Sequence, residues 1–203
     1  MLRFASALAV VFPVLVFGNS TGAPPESSWV DTNQTCARSG CHTGTHNIGA
    51  GVVTISFPGN LTYAPGVKQR LTITVTDLSQ PLNFGFQVTA RISSNPALMQ
   101  AGTWTPLDNS TQVICEDASV RNGAACPVNA PVEFIGHKTP STTGVWQVDW
   151  TPPASAVGDI QFFVAALAGN ANGVATGDRT FLSDYRLTPV SPCLLYTSPS
   201  PRD

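Results

Sequence analysis

From Val52 onward this chain sets apolar residues on every second position, and that period limits its fold more than anything else. Val53, Ile55 and Phe57 alternate with Thr54 and Ser56. Leu71, Ile73 and Val75 alternate with Thr72, Thr74 and Thr76, and Phe84, Phe86, Val88 and Ala90 repeat the pattern. A period of two turns one face of an extended strand to a core and the other to solvent, so these runs predict half-buried antiparallel strands. Further strands are expected over 132–137, 145–150, 160–168 and 181–187. Pro65-Gly66 marks a turn, and Pro152-Pro153 ends a strand, because proline cannot donate to a ladder. No stretch carries a helical stripe. Roughly seven to nine short strands with turns between them predict an all-β, immunoglobulin-like Greek-key β-sandwich over residues 51–190.

Both ends of the chain read differently. Residues 1–18 have the form of a secretory signal peptide: a positive start at Met1-Leu2-Arg3, an apolar run from Phe4 to Phe17, then small residues at Gly18-Asn19-Ser20. The run is shorter than the ~20 apolar residues of a membrane span, and a retained anchor is the alternative. Either reading places the folded part outside the cytoplasm, secreted or at the cell surface with the periplasm included, where disulfides persist. Residues 193–203, from Cys193 to Asp203, look like a translated sequencing-library adapter and are expected to be an artefactual tail; without Cys193, four of the 5 cysteines remain. Charged residues make up 11% of the chain, less than half the usual share of about 25%. No cluster of Lys or Arg stands out, so nucleic-acid binding lacks its electrostatic footing.

The chemistry of the chain concentrates in residues 19–50, a polar segment without periodicity. Within it, Cys36-Ala37-Arg38-Ser39-Gly40-Cys41-His42 places two cysteines ahead of a histidine. That order attaches c-type haem: the thiols become thioethers, and the adjacent imidazole reaches the iron. The common form has two residues between the cysteines, whereas here there are four. A small Cys36–Cys41 disulfide is the structural alternative. A zinc site is a third, with His46 as the fourth ligand. A haem with His42 proximal needs a distal ligand, for which His137 in Glu133-Phe134-Ile135-Gly136-His137 is the first candidate, His46 the second and Met99 a third. Against this, His137 also reads as an imidazole bonded to backbone. Trp29, Trp104, Trp146 and Trp150 could face a porphyrin, but Trp146 and Trp150 lie on one side of a strand and read first as core. Cys115 and Cys126 are expected to pair and close the loop between them, worth about 2–3 kcal/mol. Asn170, Asn172 and Asp178 offer oxygens to calcium, yet their spacing fits a turn shaped by Asn and Gly better. There is no Gly-x-Ser-x-Gly, no His-Glu-x-x-His and no phosphate-binding glycine loop, so nothing singles out an enzyme.

Several motifs together carry a family resemblance. Thr35-Cys36 through Cys41-His42 precedes Gly51-Val52-Val53-Thr54-Ile55-Ser56-Phe57-Pro58-Gly59; then come Tyr63-Ala64-Pro65-Gly66, Phe84-Gly85-Phe86-Gln87 and Trp150-Thr151-Pro152-Pro153. Ala168-Gly169-Asn170-Ala171-Asn172-Gly173 and Gly177-Asp178 close the set. This pattern resembles the bacterial choice-of-anchor V domain, a relative of the Reeler domain, over roughly 22–188. The resemblance implies an extracellular immunoglobulin-like sandwich followed by a variable surface-sorting signal.

Two functions follow. In the first, the chain is an exported, surface-associated β-sandwich carrying one covalent haem c, with Cys36, Cys41, His42 and either His137 or His46 at the iron, and its partner is a redox protein. In the second, it is a non-enzymatic adhesive or matrix-interaction module stapled by Cys36–Cys41 and Cys115–Cys126, and its partner is an extracellular ligand met through exposed loops or a sheet edge.

Overall fold

In the computed structural model, the described residues are 21–28, 35–37, 41–42, 44–79, 81–121 and 125–191. The expected signal peptide, the expected adapter tail and Trp29 lie outside them. Ten strands and no helix are present among these residues: β1 (Val52–Ser56), β2 (Thr62–Tyr63), β3 (Gln69–Thr76), β4 (Asn83–Ile92), β5 (Thr103–Pro106), β6 (Thr111–Cys115), β7 (Glu133–His137), β8 (Val145–Thr151), β9 (Ile160–Gly169) and β10 (Arg179–Pro189). No helix among the described residues is long and apolar enough to cross a membrane.

The strands form two sheets, ordered β1-β3-β8-β5 and β2-β10-β9-β4-β7-β6. Every pairing is antiparallel except the short parallel contact of β2 with β10. Alternate side chains from the two inner faces interlock. Val53, Ile55, Leu71, Ile73, Trp146, Val148 and Trp150 come from the smaller sheet; Phe86, Val88, Phe162, Val164 and Phe181 come from the larger. At the centre, Trp150 meets Phe162 edge-on at 4.8 Å and Trp104 meets Phe162 at 5.8 Å, favourable geometry for aromatic quadrupoles. The tryptophans at 104, 146 and 150 are thus core.

The expectation of half-buried strands holds for β1 and β3 but not for β4 or β9, which are buried on both faces. On β4 one cause is the N-terminal strap, whose residues 23–28 lie against the outer face of that strand. Gln87 points outward from β4 and takes the strap's backbone in place of water. Its Nε2 donates to Ala23 O and Pro24 O at 3.1 and 2.9 Å, and its Oε1 accepts from Ser28 N at 3.1 Å. Burying that amide is tolerable because its polar atoms are paired.

The edges of the smaller sheet are closed by side chains of the larger one. On β1, Ile55 N donates to the Tyr185 hydroxyl at 3.1 Å, and Val53 O accepts from Ser183 Oγ at 2.9 Å. On β5, Trp104 N donates to Glu133 Oε2 at 2.9 Å, and Trp104 O accepts from Arg121 Nη2. The next outward-pointing position on β5 is Pro106, which has no N–H to offer. The edge of β6 is covered by the loop that follows it, where Arg121 N donates to Val113 O at 3.0 Å and Cys115 N to Ser119 O at 2.8 Å. The Cys115–Cys126 disulfide, as expected from the sequence, closes the base of that loop.

Candidate functional site

The cysteine–histidine element is built into the strap. Ser28 bridges Thr35 in a short antiparallel contact. Cys36 is buried, its Sγ 3.8 Å from Ser27 O. His42 N donates to Cys36 O at 3.1 Å, which holds His42, and with it Cys41, close to Cys36. Cys41 is half-buried.

His42 then docks on the connection between β9 and β10. Its Nδ1 lies 2.8 Å from Asp178 Oδ2, with both side chains largely covered, although the approach is off the angle of a hydrogen bond. The other carboxylate oxygen of Asp178 accepts from Asn170 N at 3.1 Å. Asn170 and Asn172 spend their side chains on the turn itself: Asn170 Oδ1 accepts from Asn172 N, Asn172 Oδ1 accepts from Val174 N, and both amides donate to Thr176 O. The turn reading of this loop is therefore the one the hydrogen bonds display. Next along the strap, Asn47 pairs with the free edge of β10, donating N to Thr180 O at 2.9 Å and accepting at Oδ1 from Leu182 N at 2.8 Å. His46, the residue before, has an enclosed Nδ1 with no hydrogen-bond partner among the described residues.

His137 occupies a different place. It sits at the end of β7, buried to 8% exposure. Its Nδ1 lies 3.0 Å from Phe86 N and 3.1 Å from Phe86 O, accepting from the first in one tautomer and donating to the second in the other. The ring fills the space beside Gly85, where a Cβ would come within 2.6 Å of Cε1. Burial holds the His137 pKa below the ordinary histidine value, and the approach of Nδ1 to Phe86 O, where a protonated nitrogen would donate, opposes that shift. A neutral ring paired with the Phe86 backbone is the outcome.

Met99 is 43% exposed and its carbonyl pairs with Ile92 N, at the far end of β4 from Asn83. Asp178 and Gly169 lie against the Asn83 end. Nine strand steps separate the two, about 30 Å, so Met99 and His42 are not brought together. His42 and His137 do share one end of the larger sheet, but His137 is committed to Phe86. Among the described residues, no three His, Cys, Asp or Glu side chains converge as a metal site would require, so Cys36, Cys41, His42 and His46 do not form a zinc tetrahedron. Between strap and sheet, Gln87 bonds both layers directly, and a porphyrin inserted there would have to displace the strap. His137, expected as the distal ligand, is thus engaged by the Phe86 backbone, and Gln87 joins segment to sheet where the haem was expected to sit.

A second feature lies at the opposite margin of the larger sheet, beside β6. A groove of about 560 Å³ opens there between the β5–β6 connection and the disulfide loop, with Pro106, Leu107, Thr111, Val120, Arg121 and Lys138 in its lining. Arg121 is turned inward, its Nη1 2.8 Å from Glu133 Oε1. Burial pushes the Glu133 carboxyl above its ordinary range, while Trp104 N–H and Arg121 pull it back.

No protein-family model and no curated protein sequence matches the chain. Among solved structures, the human F-spondin reeler domain is similar with a TM-score of 0.50 and 18% identity, covering 72% of this chain and 95% of that one. The fold is Reeler-like. A structure of the Reelin-N domain of F-spondin is similar with a TM-score of 0.47 and 18% identity, covering 73% and 93% of the two chains. The likeness speaks to fold, leaving the strap's chemistry to its own residues.

Proposed function

We propose that the chain is a non-enzymatic, extracytoplasmic interaction module, displayed at the cell surface, in which the Cys36–Cys41–His42 element is a structural staple. The observation that carries this reading is the strap itself. Cys36 is enclosed against Ser27, His42 is seated on Asp178, and Gln87 ties the same segment to β4, so the motif's side chains serve to hold one layer on another. The Cys115–Cys126 disulfide supports a location outside the reducing cytoplasm, and the likeness to choice-of-anchor V domains supports surface display. The closed sheet edges direct binding to loops and the groove beside Lys138 instead of to strand addition.

A second reading keeps the haem. One observation favours it: His42 presents Nδ1 to a carboxylate, the arrangement that orients many metal-binding imidazoles and leaves Nε2 for the metal. The test is an intact mass under denaturing conditions with a pyridine haemochrome spectrum, on protein exported from a host with haem-attachment machinery. A mass lower by the hydrogens of two disulfides, with no haem absorption, supports the module. One covalent haem overturns it in favour of electron transfer or redox sensing.

A further inference from the structure

The side of the sandwich where β5 ends the smaller sheet and β6 ends the larger holds the groove described above. Its volume of about 560 Å³ falls within the range of about 300–1,000 Å³ that ligand sites occupy. Pro106 and Leu107 line it from the β5–β6 connection, and Val120 lines it from the chain that follows β6. Leu107 is 38% exposed and Val120 48%, so two branched apolar side chains stand in water at its opening.

Thr111, at the start of β6, is buried to 3% exposure and also lines the groove, yet its Oγ1 has no hydrogen-bond partner. An enclosed hydroxyl without a partner is unfavourable, so a donor brought to it from the groove would be stabilising. Most other polar groups of the lining are engaged. Asp108 Oδ1 accepts from Ser110 N at 2.8 Å and from Ser110 Oγ at 2.5 Å, and these bonds hold its carboxyl below the ordinary range. Gln112 Nε2 donates to Thr21 O at 2.6 Å, and Arg121 is divided between Glu133 and Trp104 O. Lys138 differs. Its backbone N–H donates to Ser110 O at 2.7 Å, but among the described residues its ammonium has no acidic partner.

The uncompensated charge of the groove is therefore positive and single. A sulfated polysaccharide gains its affinity from rows of cations, and no second unpaired cation stands beside Lys138 in the lining. A peptide with one acidic side chain and an apolar neighbour meets the lone ammonium and the apolar walls together. Its backbone also supplies the N–H that Thr111 lacks.

We infer that this groove binds a short acidic peptide segment, with a carboxylate on Lys138, an apolar side chain against Leu107 and Val120, and a backbone N–H directed at Thr111 Oγ1. The inference rests on the interaction-module reading above and names the class of its ligand. Lys138 sets the preference for charge, and Thr111 the preference for an amide.

The experiment is a nuclear magnetic resonance titration of the full exported chain with N-acetyl-Leu-Glu-Leu amide, set against the same peptide carrying Gln in place of Glu. The expected result is saturable shifts at the amides of Leu107, Thr111, Val120 and Lys138, with a midpoint of about 1 mM. The Gln peptide should bind about two- to fivefold more weakly, the difference that one exposed ion pair makes. Lys138→Ala should abolish that preference, and Lys138→Arg should keep it. Thr111→Val should weaken both peptides alike while the amide spectrum of the sandwich stays in place. No shift at these amides with either peptide, or equal affinity of the wild type for both, would overturn the inference and leave the module reading standing. So would dextran sulfate shifting the same amides and displacing the peptide. A covalent haem in the intact mass of the same preparation would overturn the module reading on which the inference rests.

Discussion

Arg121 is the residue whose removal should most clearly expose how the sandwich is closed. It lies at the mouth of the disulfide loop with its side chain 15% exposed, and it serves two acceptors, Glu133 Oε1 and Trp104 O. Its Nη1 meets Glu133, whose side chain is 4% exposed, and its Nη2 meets Trp104 O on the open edge of β5. In Arg121→Ala, Glu133 loses its cation and Trp104 its acceptor's partner. Breaking a fully buried pair costs about 3–5 kcal/mol; because water reaches Arg121, we expect about 2–4 kcal/mol. Glu133→Gln keeps an oxygen for Trp104 N–H and loses the charge, and should cost about 1–2 kcal/mol. The double variant should fall short of the sum by about 1–3 kcal/mol, since both single changes break the same contact. The sign of the pH dependence follows from the direction of the Glu133 shift. Burial raises its folded pKa, so the folded protein holds the proton more tightly than the unfolded chain, and stability from this group is present at acid pH and declines as pH rises through the raised value. Without Arg121 the rise is larger, so the cost of Arg121→Ala should shrink on acidification below the ordinary glutamate range. Urea unfolding followed by circular dichroism at neutral and acid pH reads all three variants. A cost of Arg121→Ala below about 0.5 kcal/mol at neutral pH, or strict additivity with Glu133→Gln, would refute the closure argument.

Other expectations follow from single contacts. His137→Leu removes the Nδ1 that pairs with the buried Phe86 backbone and should cost about 1–3 kcal/mol. Because burial lowers the folded His137 pKa, the wild type should lose stability as pH falls from about 6.5 toward the depressed value, and the variant should lose that slope in acid titrations followed by thermal melting. Gly85→Ala sets a methyl group within 2.6 Å of the His137 ring and should cost about 1–3 kcal/mol, read by the same melts. Tyr185→Phe removes the hydroxyl that accepts Ile55 N–H and should cost about 1 kcal/mol, with faster exchange at that amide.

The sandwich was legible where one face of a strand is wet. Thr72, Thr74 and Thr76 mark β3 because their side of the sheet is open, and the alternation survives in the burial pattern. On β6 the residues Val113, Ile114 and Cys115 are all buried, since the loop through Arg121 covers the strand, and no period remains to be read. The four-residue β5 carries its only signal in Trp104 between two threonines, too short to separate from a loop. The Cys115–Cys126 pair was legible from compartment and loop length. The role of His137 was not, because its partner is the backbone of Phe86, and a backbone N–H has the same chemistry at every position. Phe84-Gly85-Phe86 held the one available sign, a glycine between core phenylalanines where a ring from another strand lies close. The haem motif shows the opposite case: a pattern with strong chemical meaning whose histidine and first cysteine are taken up in packing.

The closed edges bear on what kind of interaction such a module can make. An exposed edge strand binds by adding a strand, and it does so indiscriminately, because backbone groups recognise any extended chain. Here Tyr185, Ser183, Glu133 and Arg121 take the edge groups of the smaller sheet, and Pro106 withholds one more. Each of these side chains comes from an element of the opposite sheet or its loops, so the same contacts that hold the two sheets together also prevent strand addition. Opening an edge would then require separating the sheets locally. Under the interaction-module reading proposed above, a partner of the folded protein would meet side chains, on loops such as the β5–β6 connection, outside the ladder.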